Sequence, residues 1–186
     1  LALGVPEDYC VVRAGPEGEP DGDLAELMHV CFPSSWDPRS KLGADFTAIH
    51  RPVANNEVIL RGHVSMVRAV CGKGPFVRYA WGVHRDGTLC HNPALFGPLE
   101  QERDLSPEAV AAHSVVRVER QTTRPFADLG RGLFTIRTYV EPLREFAQDA
   151  ERRDALARAI AGMNDAALAY KGLTERGEPL VRWLSE

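Results

Sequence analysis

No two of the four cysteines stand close enough in the chain to make a C-x-x-C pair: Cys10, Cys31, Cys71 and Cys90 are each isolated. That absence argues against a zinc ribbon or an iron–sulfur cluster held by this chain. The thiols are expected to be buried and free, as in a reducing cytoplasm. Long apolar runs are missing too. None approaches the ~18 residues of a membrane span, and no signal-peptide pattern opens the chain. Lys and Arg never gather into a run, and the net charge of −4 has the wrong sign for a nucleic-acid partner. Neither an internal repeat nor a low-complexity segment is present. The chain begins on Leu1 rather than Met, as a trimmed piece of a longer one would.

What remains is the composition of an ordinary globular protein, 44% hydrophobic and 26% charged over 186 residues. Its length fits one domain, residues 1–186, with a core of its own. "EDYCVVRAG" and "LAELMHVCF" read as two strands of an opening hairpin, joined by the turn-rich "PEGEPDGD". "SSWDPRSKLG" offers caps and a proline for short helices. "NNEVILRGHVSMVRAVCG" reads as one long helix, capped at Asn55 or Asn56 and ended by Gly72 and Gly74. Its Ile59, His63, Val67 and Val70 share one face.

"FVRYAWGVHRDGTLC" reads as a strand, a turn at Arg85-Asp86-Gly87 and a weak return strand. A short helix follows at "SPEAVAAH". Then come two strong strands, "HSVVRVERQTT" and "GLFTIRTYV", linked by "RPFADLGR". "EPLREFAQDAERRDALARAIAGM" reads as a single amphipathic helix, and "NDAALAYKG" starts another. The order predicts an α+β fold: an antiparallel sheet with helices across one face and further helices at the C-terminus.

The two strong strands alternate in an unusual way. Arg117, Glu119 and Gln121 fall on one side of the first, and Thr135, Arg137 and Tyr139 on one side of the second. If the strands are neighbours, a ladder of polar side chains covers one face. One reading is a solvated outer face with cross-strand ion pairs. The other is a polar wall lining a pocket, where arginines fork to carboxylates while Glu119 and Tyr139 orient a small ligand.

"CFPSSWDPRSKLGADFTAIHRPV", "VRYAWGVH", "RVERQTTRPFADLGRGLFTIRTYVEPL" and "AYKGL" occur here in the order found in one family. On these blocks the chain resembles the α subunit of haem-dependent oxidative N-demethylase, from about Glu7 to Trp183. "RVERQT…LFTIRTYV" is the most specific block and "IHRPV" the next. Two positions depart from the family's pattern: Ala54 ends its "IHxPVP", and Ala80 takes the place of asparagine in its "RxNW", which reads Arg78-Tyr79-Ala80-Trp81 here.

The resemblance implies a PAS-like domain that binds haem b and removes a methyl group oxidatively from a small amine such as dimethylamine. It also implies O2 as co-substrate, with electrons from NADPH through flavin and iron–sulfur partner subunits. It points to His50 as the ligand to the haem iron, because a neutral imidazole nitrogen donates to iron while the other N–H is oriented by a carbonyl. His63, on the apolar face of the long helix, is the alternative. His84, beside a turn, is expected to be exposed, and His29, His91 and His113 have no supporting neighbours. Glu119 and Tyr139 are candidates for handling the amine's proton. Arg117 or Arg137 would stabilise negative charge developing on oxygen. Arg78, Arg120 and Lys41 are candidates for the propionates, and Trp81 for a further haem contact. A haem PAS sensor of gas or redox state without turnover, or a haem enzyme acting on a larger amine, are the rival readings.

Overall fold

The computed structural model describes residues 4–16, 22–97 and 102–186. Its strands are β1 (Asp8–Arg13), β2 (Leu24–His29), β3 (Phe76–His84), β4 (Val115–Phe126) and β5 (Arg131–Pro142). They form one sheet in the order β2-β1-β5-β4-β3. β1 pairs antiparallel with β2 on one side and with β5 on the other. Two strands before a helical section and three after it, in one sheet, make the PAS-like α+β arrangement that the element order predicts. The chain divides into two compact units, Leu1–Ala80 with Leu89–Pro98 and Glu119–Thr138, and Trp81–Thr88 with Leu99–Val118 and Tyr139–Glu186.

In the first unit the β1–β2 hairpin carries a bulge between Val11 and Val12, while residues 17–21 of its connecting turn lie outside the described residues. Two buried carboxylates tie loops to it. Asp8 accepts from Cys31 N at 2.7 Å and Phe32 N at 3.0 Å, and Asp23 accepts from Phe46 N at 2.8 Å. A single 3-10 turn, Pro38–Ser40, follows, with Asp37 as its cap and proline at its start. The helices after it are α1 (Phe46–His50), α2 (Glu57–Arg61) and α3 (His63–Gly72).

The expected long helix is therefore two. Gly62 ends α2 and begins α3 with φ −91° and ψ 3°, outside helical geometry, at the one residue inside the segment with little helix propensity. At its far end α3 lies directly on the sheet: Cys71 Sγ is 3.6 Å from Val12 O, and a Cβ on Gly132 would come within 2.4 Å of Val70 O.

Two further expectations fail locally. After His84 the chain forms a bend and no return strand, because only the four residues Thr88 to His91 lie between the turn and the next cap, Asn92. That cap opens α4 (Pro93–Phe96). The C-terminal segment is not a single helix either. Pro142 ends β5, α6 is the single turn Leu143–Phe146, and Asp149 restarts the chain as α7 (Ala150–Ala161) by accepting from Glu151 N and Arg152 N. An aspartate at that position is a stronger start signal than the apolar periodicity across it is a reason to continue.

The second unit holds the main hydrophobic cluster. α5 (Pro107–His113), α7, α8 (Asp165–Tyr170) and α9 (Gly177–Ser185) surround Val110, Leu143, Leu156, Ile160, Leu173, Leu180 and Leu184, all of them buried. Each such side chain contributes roughly 1.5–3 kcal/mol over exposure. Within the cluster Arg176 is 2% exposed; its Nη2 donates to Ser114 Oγ at 2.7 Å and its Nε lies 2.8 Å from Glu102. His84 is half-buried rather than exposed, since β3 continues through it.

Candidate functional site

The site is built on α1. Asp45 caps this helix, accepting from Ala48 N at 2.6 Å, and Pro52 cannot continue it, so five residues form one tight turn with His50 at its end. The Phe46 and His50 rings stack at 4.0 Å between centroids with an interplanar angle of 25°. His50 Nδ1 lies 2.8 Å from Phe46 O. A carbonyl only accepts, so Nδ1 carries the proton and Nε2 carries the lone pair. Asn56 closes the loop beyond: its Nδ2 donates to His50 O at 3.2 Å and Arg51 O at 2.8 Å, in place of the side-chain cap expected for α2.

The His50 imidazole is held below its ordinary pKa. Burial is the largest cause, the Phe46 bond opposes it, and the positive charges of Arg78 and Lys41 add to the lowering. Lys41 Nζ donates to Ile49 O at 3.3 Å, one residue before His50 in the same helix. Two of the cations expected from the sequence thus gather about the histidine expected from it. A neutral imidazole with one nitrogen committed to a carbonyl is the donor that haem iron takes, and two nearby cations suit its carboxylates. The residues present fit the group. His63 carries the same local bond, Nδ1 to Leu60 O at 2.8 Å, at the first turn of α3.

From Arg78 the polar contacts continue along the sheet. Arg78 Nε donates to Gln121 Oε1 at 2.6 Å, and Gln121 Nε2 donates to Glu119 Oε2 at 3.0 Å. Gln121 is 8% exposed, Glu119 and Arg137 are half-buried, and Arg117 is 2% exposed. This side of β4 is therefore no solvated face at Arg117 and Gln121. Arg120 alternates to the other side of the strand and is exposed. Arg117, Tyr139 and Trp81 belong to the second unit. There Trp81 is engaged by Lys171, whose Nζ donates to Trp81 O at 2.6 Å and sits 4.7 Å from the ring centroid, and Tyr139 is exposed.

One residue of this site had no place in the sequence reading of it, and another had no role of its own there. Phe46, one helical turn before His50, is a signal that a search for aromatic i, i+4 pairs would have found. Gln121 was visible only as one more polar residue in the ladder. His29 also proves to have neighbours, with Nε2 3.5 Å from Cys31 Sγ and its ring 5.1 Å from that of Tyr9.

The antiparallel sheet of this order makes a PAS-like α+β domain, and its capped helix α1 presents the His50 imidazole with Arg78 and Lys41 nearby. The family model for haem-dependent oxidative N-demethylase, alpha subunit-like, matches residues 1–181, and the chain belongs to that family. The family's description carries haem dependence and the status of an α subunit, hence partner subunits. Among the described residues no helix is long and apolar enough to cross a membrane.

Proposed function

We propose that this chain is the haem-carrying subunit of an oxidase that removes a methyl group from a small secondary amine, with His50 Nε2 as the ligand to iron. In the balanced reaction one dioxygen, two electrons and two protons convert the N-methyl amine to the demethylated amine, formaldehyde and water. One oxygen atom becomes the formaldehyde oxygen as the carbon–nitrogen bond breaks, and the other leaves as water. Haem b, when bound, supplies the activation of O2. The electrons come from NADPH through flavin and iron–sulfur partner subunits, in a cytoplasm whose reducing poise suits four free thiols.

The chain's own residues do the rest. Lys41 and Arg78 pair with the haem carboxylates, while Arg120, on the other side of β4, is a candidate from the sequence blocks alone. Glu119 pairs with the alkylammonium and accepts its proton, since the carboxylate serves both roles. Arg137 directs N–H donors toward negative charge as it develops. Arg117, Tyr139 and Trp81 are candidates from the sequence blocks alone. The observation that carries this reading is the His50–Phe46 bond beside Arg78 and Lys41.

The test is a spectrum followed by an assay. Protein expressed with a haem supply should show a Soret band and carry about one haem per chain. With a reductant it should release formaldehyde from dimethylamine or from a larger secondary amine, the two substrates that Ala80 makes worth comparing. A colourless protein that takes up no added hemin overturns the reading. A haem protein that turns over neither amine is a sensor instead.

A further inference from the structure

Gln121 is an uncharged side chain between a cation and an anion, and its amide can satisfy both in one orientation only. Arg78 has donors alone and ionised Glu119 has acceptors alone. The amide oxygen must therefore face Arg78 and the amide nitrogen Glu119, as the distances of 2.6 Å and 3.0 Å have it. Without this amide the two charges would be free to pair directly. Arg78 is spent only in part by a neutral partner. The bond to Gln121 uses Arg78 Nε and not the Nη fork that grips a carboxylate at two points. Burial at 8% exposure fixes the amide itself.

We propose that Gln121 is a positioning residue with two ends: its oxygen sets the Arg78 guanidinium to grip a haem propionate, and its N–H sets the Glu119 carboxylate that receives the amine's proton. The proposal rests on the reading of the site given above. It ties cofactor retention and substrate handling to one side chain that makes neither contact itself.

The first end is tested with apoprotein, hemin and hemin dimethyl ester, whose propionates are blocked. Wild type should bind hemin more tightly than the ester. Gln121→Met fills the same volume without hydrogen bonds and should weaken hemin about tenfold, the usual scale for a hydrogen bond to a charged group, while leaving the ester unchanged. Arg78→Met should do the same, and the double variant should be no worse than Arg78→Met alone, because both act through one contact.

Gln121→Glu separates the ends. It keeps an acceptor that orients Arg78 but adds a charge that competes with the propionate, so hemin should bind more weakly than to wild type yet more tightly than to Arg78→Met. It loses the donor to Glu119 and puts a second carboxylate beside it, so amine-dependent formaldehyde release should fall at least tenfold. This variant also serves if Gln121→Met does not fold by circular dichroism. If wild type binds neither porphyrin, the haem reading itself is lost and the proposal with it. Equal weakening of hemin and ester, or additive losses in the double variant, overturns the proposal and leaves the haem reading standing. Unchanged turnover in Gln121→Glu removes the Glu119 end.

Discussion

His50 donates from Nδ1 to the carbonyl of Phe46, its neighbour one turn earlier, at 2.8 Å, and the two rings lie stacked. A backbone carbonyl cannot rotate away as a side-chain partner can, and the stacked ring blocks the imidazole from swinging about χ2. The lone pair on Nε2 is thus aimed by a single helical turn, before any cofactor arrives. Orientation of this kind commonly accounts for 10–100-fold in metal affinity.

His50→Ala should lose haem retention or shift the Soret band, and His63→Ala should leave both nearly unchanged. The two histidines share the same kind of backbone bond, so the discriminator is the charge around them: Arg78 and Lys41 act on His50. Absorption spectra of the two variants after hemin reconstitution decide it. Loss of the Soret band in His63→Ala alone would move the ligand to α3.

Glu119→Gln and Arg137→Lys should keep fold and haem content yet turn over amine on the order of 100-fold more slowly, the usual consequence of losing one preorganised group at developing charge. Both side chains are half-buried and lie in the same unit as His50. Solvent-exposed ion pairs, worth about 0–1 kcal/mol, would give wild-type rates. Amine-dependent oxygen consumption by the haem-replete variants, with a chemical reductant, separates the two outcomes.

Burial pushes the Cys10 thiol from 9.0 up to about 11. Between those values the unfolded chain sheds this proton while the folded chain keeps it, so the folded state binds more protons there. The thiol's contribution is full below about pH 9 and is lost as pH rises through the folded value. Urea midpoints taken from pH 8 to 11 should fall less steeply for Cys10→Ala than for wild type. Parallel slopes would show that Cys10 ionises in the folded state as it does in the unfolded one.

Arg176→Ala should destabilise the protein by about 3–5 kcal/mol, because it leaves Glu102 without the buried partner that faces it. Arg85 reaches the same Glu102 oxygen only at 3.9 Å and cannot replace it. The Arg176→Ala/Glu102→Ala pair should cost less than the sum of the two single changes, measured by urea unfolding. Additive losses would mean that the two groups are stabilised independently.

Alternation makes the strands legible. Val115 to Val118 and Leu133 to Val140 carry it so strongly that β4 and β5 are evident at once, and both run longer than the pattern because the hairpin closes tightly at Gly130, in the left-handed region at φ 60°. Helix breaks are less legible. Gly62 and Asp149 each sit inside a continuous apolar period, and the period outweighs single residues when a pattern is read across them. In the site, Lys41 and His50 lie within one family block while Arg78 comes from another, and the blocks link them where spacing has nothing to say. The role of Gln121 is not readable from sequence, since alternation assigns a side chain to a face but does not say which neighbours it will meet across the strands.

The contact between Gly132 and the backbone of α3 has a consequence for how this sequence can drift. Every single-base change of a glycine codon that alters the amino acid adds a Cβ or ends the chain, and a Cβ at position 132 would meet Val70 O at 2.4 Å, backbone that no rotamer change can move aside. Gly72 and Gly87 meet nothing within 4 Å. In a library of random point mutants selected for folded protein, codon 132 should therefore stay monomorphic while codons 72 and 87 fill with substitutions.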